Sequence, residues 1–247
     1  MVIENVTGSV GRVSETLPPP IWTRRTPAAR PPVSEEAVVD AALAILDEHG
    51  ADAITMRAVA ERMHVSAPTV YWHAGSKDGL LDRLYDRLCG EVALPPPDQP
   101  WDERLRILAH STRAVLTAHR DAARIAIGRF PLGPHGLRLT ESALAALTDA
   151  GLGDEDAAHA AYLFFGYVGG FCYQETVPPA PSAAEDRTEA LRLVGEYLSA
   201  LPAADFPHLT RCAAALARPG LDRRFTFGLD RLLRGLAPAT ANSQPRH

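Results

Sequence analysis

The sequence predicts an all-α protein: an N-terminal three-helix helix-turn-helix domain, of the kind that can read DNA, followed by a larger helical domain. Three observations carry this. Alanine and leucine dominate and β-branched runs are few, which favours helix. Residues 55–80, TMRAVAERMHVSAPTVYWHAGSKDGL, read as a short helix, a tight turn, a second short helix and the start of a third. Beyond residue 98 apolar residues recur at helical spacing in several separate segments. The chain of 247 residues is long enough for one large or two small domains and for a core without disulfide or metal staples.

Residues 1–33 come first. Pro18, Pro19, Pro20, Pro27, Pro31 and Pro32 exclude regular helix, so a flexible Pro/Arg-containing arm is expected. Its Arg12, Arg24, Arg25 and Arg30 outnumber Glu4 and Glu15. Beside a DNA reader such an arm can touch phosphate or a minor groove, or it is a featureless tail.

Residues 34–93 form the predicted reader. Ser34 caps a helix over 35–49, Glu35 and Glu36 suit its first turn, and Gly50 ends it. Val38, Val39, Ala42, Leu43 and Leu46 make its apolar stripe. Thr55 caps the next helix, which buries Val59, Ala60 and Met63. His64 falls where a left-handed residue is wanted, a conformation that His tolerates. A metal-ligand role for His64 has no second ligand at helical spacing. Ser66 caps the following helix, and Pro68 suits its first turn. Val70 is the core candidate there, while Tyr71 and Trp72 are adjacent and cannot share a face. Ser76 caps a fourth helix lined by Leu80, Leu81, Leu84, Tyr85, Leu88 and Val92 and ending before Pro95.

Residues 98–237 read as five or six helices: about 101–119, a short one near 120–128, 137–150, one from Asp154 through 176, 183–200 and 223–236. The link 130–136 is expected to be irregular, as is a break at 178–182. The helix from Asp154 is apolar almost all round, which marks a central or interface helix. Residues 238–247 are expected to be a flexible tail.

Charge, cysteines and hydropathy exclude other classes. The net charge is −5, and residues 34–92 hold five basic side chains (Arg57, Arg62, Lys77, Arg83, Arg87) against eleven acidic ones. DNA binding must therefore rest on a few aligned cations and helix dipoles. Cys89, Cys172 and Cys212 are odd in number and widely spaced, so free buried thiols are expected rather than a disulfide framework or zinc site. The N-terminus lacks a signal pattern, and the longest apolar run, 160–173, is too short for a membrane helix, so a cytoplasmic protein is expected. No nucleophile–base pair, metal spacing or phosphate loop points to an enzyme, and no catalytic residue, metal or cofactor is assigned.

Val59-Ala60, then Val65-Ser66-x-Pro68-Thr69-Val70-Tyr71, then Lys77-Asp78-x-Leu80-Leu81 make a specific signature. By these motifs the chain resembles the TetR family of transcriptional repressors, and Pro68 to His73 resemble its tetracycline-repressor branch. Weaker likeness extends through Trp101, His119-Arg120-Asp121, Gly128 and Phe227-Gly228-Leu229, so it covers about 34–236. The resemblance implies DNA contacts at Thr55, Arg57, Ser66, Ala67, Pro68, Thr69, Tyr71, Trp72, His73 and Lys77. Residue chemistry agrees: Arg can pair with guanine, Thr or Pro can press on a thymine methyl, and Tyr, His and Lys suit phosphate. Ala67 stands where the tetracycline-repressor branch has a base-reading Gln, so a different operator is implied.

The resemblance also implies a homodimer on a palindromic double-stranded operator, released by a small-molecule effector, with no membrane partner. Where metal-chelated drugs are held by histidines in that branch, this sequence has Ala93 and Ala126, so no metal is expected and a largely apolar effector is. Leu108, Thr112, Phe130, Tyr162 and Phe165 are the expected ligand-binding residues, each also readable as ordinary core. The alternative is a DNA-binding dimer whose second domain is a scaffold without a ligand.

Overall fold

The computed structural model describes residues 33–176 and 187–237. The predicted arm through residue 32, the break at 178–182 and the tail at 238–247 lie outside the described residues. From Ser34 onward the described residues form one packed unit whose regular elements are all helical.

The reader helices begin where local rules place them. Helix α1 (Glu35–His49) is capped by Ser34, whose hydroxyl accepts from the Ala37 N–H at 3.1 Å. Gly50 ends it at φ 86°, and an added Cβ would meet the Asp121 carboxylate at 2.6 Å, so this corner requires glycine twice over. A 3₁₀ turn (Ala51–Ala53) leads to α2 (Met56–Met63), capped by Thr55 through the Ala58 N–H at 3.0 Å. His64 ends α2 at φ 55°, ψ 42°, the left-handed corner its position predicts. Helix α3 (Ala67–Ala74) follows, then α4 (Lys77–Cys89), capped by Ser76 through the Gly79 N–H at 3.0 Å.

Several expectations need correction. Ser66 holds the N-cap position of α3, but its hydroxyl bonds Thr69 Oγ1 at 2.8 Å rather than a backbone N–H. Ile45 and Met56 are buried in the reader, whereas Leu43 and Met63 are half-buried. Helix α4 ends at Cys89, and Val92 is buried from the turn beyond it. Cys212 is exposed, so only Cys89 and Cys172 are buried thiols.

The second region comprises α5 (Trp101–Ala118), α6 (Ala122–Ala126), α7 (Pro134–Asp149), α8 (Asp154–Thr176), α9 (Arg187–Ser199), α10 (Pro207–Leu216) and α11 (Leu221–Leu236). These are seven helices among the described residues, one more than expected, because α10 lies in a segment read as connection. Helix α7 also starts three residues early, inside the link expected to be irregular. Pro134 sits at its first turn, and Asp86 of α4 accepts from the His135 and Gly136 N–H groups at 3.0 and 2.8 Å. A cap supplied from another helix leaves no local sequence trace.

Two cores result, and α4 belongs to both. Leu80 and Leu84 are fully buried with the reader helices, whereas Leu88 and Cys89 belong to the cluster centred on Phe164 and Phe225. Helix α8 buries one face (Ala157, Ala161, Phe164, Val168, Cys172) and exposes Tyr162 and Leu163 on another. Among the described residues no helix is long and apolar enough to cross a membrane.

Candidate DNA interface and effector cavity

The face predicted to meet DNA is α3 with the ends of its neighbours. Val70 and Ala74 anchor α3 inward, at 0% and 2% exposure. That rotation leaves Tyr71 half exposed and Trp72 82% exposed. Trp72 meets His73 edge to face, with centroids 4.6 Å apart. Ser66 and Pro68 are exposed, Ala67, Thr69 and His73 partly buried, and Thr55 and Lys77 exposed at the starts of α2 and α4. Thr55 spends its hydroxyl as an acceptor in capping, which leaves its O–H free to donate. Arg57 is exposed and bonded to Glu61 at 2.8 Å, one turn on.

Charge on this face is rationed. Arg62 pairs with Glu48, Arg83 with Glu35, and Arg87 with Glu91 and Asp40. Of the five cations in residues 34–92, Lys77 alone carries no ion pair among the described residues. It sits at the start of α4, where the backbone N–H groups add positive potential.

A cavity of about 550 Å³ lies under the reader, between α4, α5, α7, α8 and the link after α6. Thr112, Phe130, Tyr162 and Phe165, four of the expected ligand residues, line it. Leu108 does not; it is fully buried in the core one turn away on α5. Among the lining side chains the sequence did not single out for this role are Arg129 and, on and after α4, Tyr85, Leu88, Cys89 and Val92. The spacing of the α4 residues marks a buried stripe, which is a visible signal, but periodicity does not tell a stripe facing a void from one facing side chains. A groove of similar size between α1, α4 and α7 is lined instead by charges such as Glu35, Asp40, Arg83 and Asp86.

The cavity's polar groups are few. Thr112 Oγ1 is buried without a hydrogen-bond partner. Helical Thr117, Thr140, Thr148, Thr176 and Thr210 all donate to the carbonyl four residues back; Thr112 does not. Burial pushes the Cys89 thiol up to about 12 and also raises the Tyr85 phenol, so both stay protonated at neutral pH. No His, Asp or Glu side chain stands in the described lining and Ala126 offers no donor atom, so these residues do not fit a metal-chelated ligand.

Between reader and cavity runs a polar seam. His119 bonds Asp47 of α1 through Nδ1 at 2.9 Å and Glu91 through Nε2 at 3.0 Å. Burial alone would depress its pKa, but the two carboxylates outweigh that and hold it above the ordinary range. The Ala51 N–H donates to Asp121 at 2.9 Å, and Arg124 grips Asp52 with two bonds of 2.9 and 2.8 Å.

With this geometry in place, the comparisons with known proteins are specific. A family profile described as "Bacterial regulatory proteins, tetR family" matches residues 38–84, and one described as "Tetracyclin repressor-like, C-terminal domain" matches 94–239. The chain is 34% identical over 199 residues to an HTH-type transcriptional regulator of Saccharopolyspora erythraea, covering 79% of this chain and 82% of that one. It is 32% identical to the class A tetracycline repressor from transposon 1721 of Escherichia coli, covering 81% and 88%. Among solved structures, the Streptomyces coelicolor protein ActR in complex with actinorhodin superposes with a TM-score of 0.78 at 33% identity, covering 87% and 100%.

Proposed function

Because this chain belongs to the TetR family of bacterial transcriptional regulators, we propose that it binds a palindromic operator as a homodimer and leaves it when a small, largely apolar effector enters the cavity beneath α4. It is a ligand-responsive DNA-binding regulator of the repressor type. The DNA contacts come from Thr55, Arg57, Ser66 through Thr69, Tyr71, Trp72, His73 and Lys77, and the effector contacts from Thr112, Phe130, Tyr162 and Phe165. Such a protein acts in the cytoplasm, where its operator is.

One observation supports the coupling most. Helix α4 packs into the reader core through Leu80 and Leu84 and forms a cavity wall through Tyr85, Leu88 and Cys89. An effector seated there touches the helix that follows the recognition helix directly. It favours release only by binding the DNA-free arrangement more tightly, since differential affinity alone moves the equilibrium. Two recognition helices must sit about one DNA turn, ~34 Å, apart to read both half-sites, so a modest displacement of α4 in each protomer breaks the register. A pure dimerisation scaffold gives no reason to keep a cavity of about 550 Å³ walled by aromatic and aliphatic side chains.

The test is an unbiased selection of bound sequences from random duplex DNA. The expected product is an inverted repeat with half-sites about ten base pairs apart, centre to centre. Enrichment of no sequence, or of an unrepeated one, contradicts the proposal.

A further inference from the structure

Among the described residues Arg129 is the one ionised side chain in the wall of the effector cavity, and its hydrogen-bond partners all lie on α4. Its Nη2 bonds Asp78 Oδ1 at 3.2 Å and its Nη1 bonds Asp82; Nη1 also approaches the Asp78 carbonyl at 3.4 Å. Its Nε–H is in none of these bonds. The guanidinium side chain is 19% exposed, whereas Asp78 and Asp82 are 86% and 60% exposed. The cation is thus held from the solvent side by carboxylates that lose little if water replaces it. Among the described residues no carboxylate lines the cavity to balance Arg129 from the other side.

We propose that the effector is an apolar, aromatic-sized acid whose carboxylate takes Arg129 away from Asp78 and Asp82. This rests on the reading of the cavity as the effector site and names the ligand's chemical class and its route to α4. An anion entering beside Phe130, Tyr162 and Phe165 meets a guanidinium less exposed than the carboxylates that now hold it, and a forked charge-assisted bond adds geometric fit to the charge attraction. Asp78 and Asp82 stand in the first two turns of α4, immediately after the Ser76 cap and the recognition helix. Exchange of Arg129's partners unties the link after α6 from that end of α4. A neutral apolar molecule fills the same space and leaves the tie intact. Arg129 is therefore both the specificity residue for acids and the release point of the tie.

The test is calorimetric titration of the full-length protein with naphthoate and with its methyl ester, probes alike in shape and different in charge. The unsubstituted protein should bind the acid at least about tenfold more tightly than the ester. Arg129→Gln should remove that preference while still binding the ester. Asp78→Asn combined with Asp82→Asn should tighten the acid and leave the ester unchanged, because the competitors for Arg129 are gone. Equal binding of acid and ester to the unsubstituted protein overturns the acid assignment and leaves the apolar-effector reading standing. Acid binding that is unchanged or weaker in the double Asn variant overturns the exchange of partners. Failure of both probes to bind overturns this proposal together with the effector reading it rests on.

Discussion

Thr112 and His119 are small local features with opposite electrostatic situations. The Thr112 hydroxyl is buried and bonded to nothing, so its desolvation is uncompensated. Thr112→Val should leave stability unchanged or raise it by up to ~1 kcal/mol in urea unfolding, since only an unmade bond is removed. A loss of more than ~1 kcal/mol would show that the hydroxyl has a partner after all. His119 instead has two carboxylate partners and a raised pKa. A group whose folded pKa is raised contributes fully below its unfolded value and loses that contribution as pH rises through the folded value. The stability gap between the unsubstituted protein and His119→Gln should thus be widest near about pH 6 and shrink toward alkaline pH. A gap that is constant or grows between about pH 6 and 9 contradicts the bridging imidazolium.

At the scale of elements, α3 divides its labour by face. Val70→Ala should cost about 2 kcal/mol, because Val70 is fully buried between reader helices. Trp72→Ala should change stability by less than ~0.5 kcal/mol, because the indole is 82% exposed, yet weaken operator binding about tenfold or more. Unchanged DNA affinity in that variant would remove Trp72 from the interface. Four of the reader's five cations are already paired, so few counterions are released per half-site. The log–log salt slope for the dimer should stay below about 5 in magnitude, and a slope near 10 would mean phosphate contacts from cations outside this set. Legibility in the sequence follows the same division. Ser34, Thr55 and Ser76 as caps and His64 as a left-handed corner were readable, because each depends on residues at most three or four positions away. The start of α7 was not, because Asp86 caps it from α4. Nor was α10, with its single buried residue Ala213. The aromatic and threonine lining was partly readable through resemblance and residue type. The role of Arg129 was not, since it exists only where the link after α6 meets α4.

For the whole molecule, the reader is only half of what an inverted repeat requires. Arg113 of α5 binds Glu175 of α8 and Asp222 of α11 and lies 4.8 Å over the Phe225 ring. The Tyr167 hydroxyl donates to the Phe225 carbonyl at 2.6 Å. Helices α8 and α11 are thereby fixed to one another, while Leu163 and Phe227 remain 54% and 61% exposed. Apolar side chains of that size on fixed helices suit burial against the same helices of a second copy, in an isologous interface. Phe227→Asp should convert a dimer to a monomer in sedimentation velocity without unfolding it; a persistent dimer places the interface elsewhere. The regulator stands or falls, however, on sequence-selective DNA binding. The most direct measurement is fluorescence anisotropy of the full-length protein titrated onto duplex DNA from upstream of its own gene, against random duplex at physiological salt. At least about a hundredfold preference for the upstream DNA is predicted, and equal affinity for the two duplexes would contradict it.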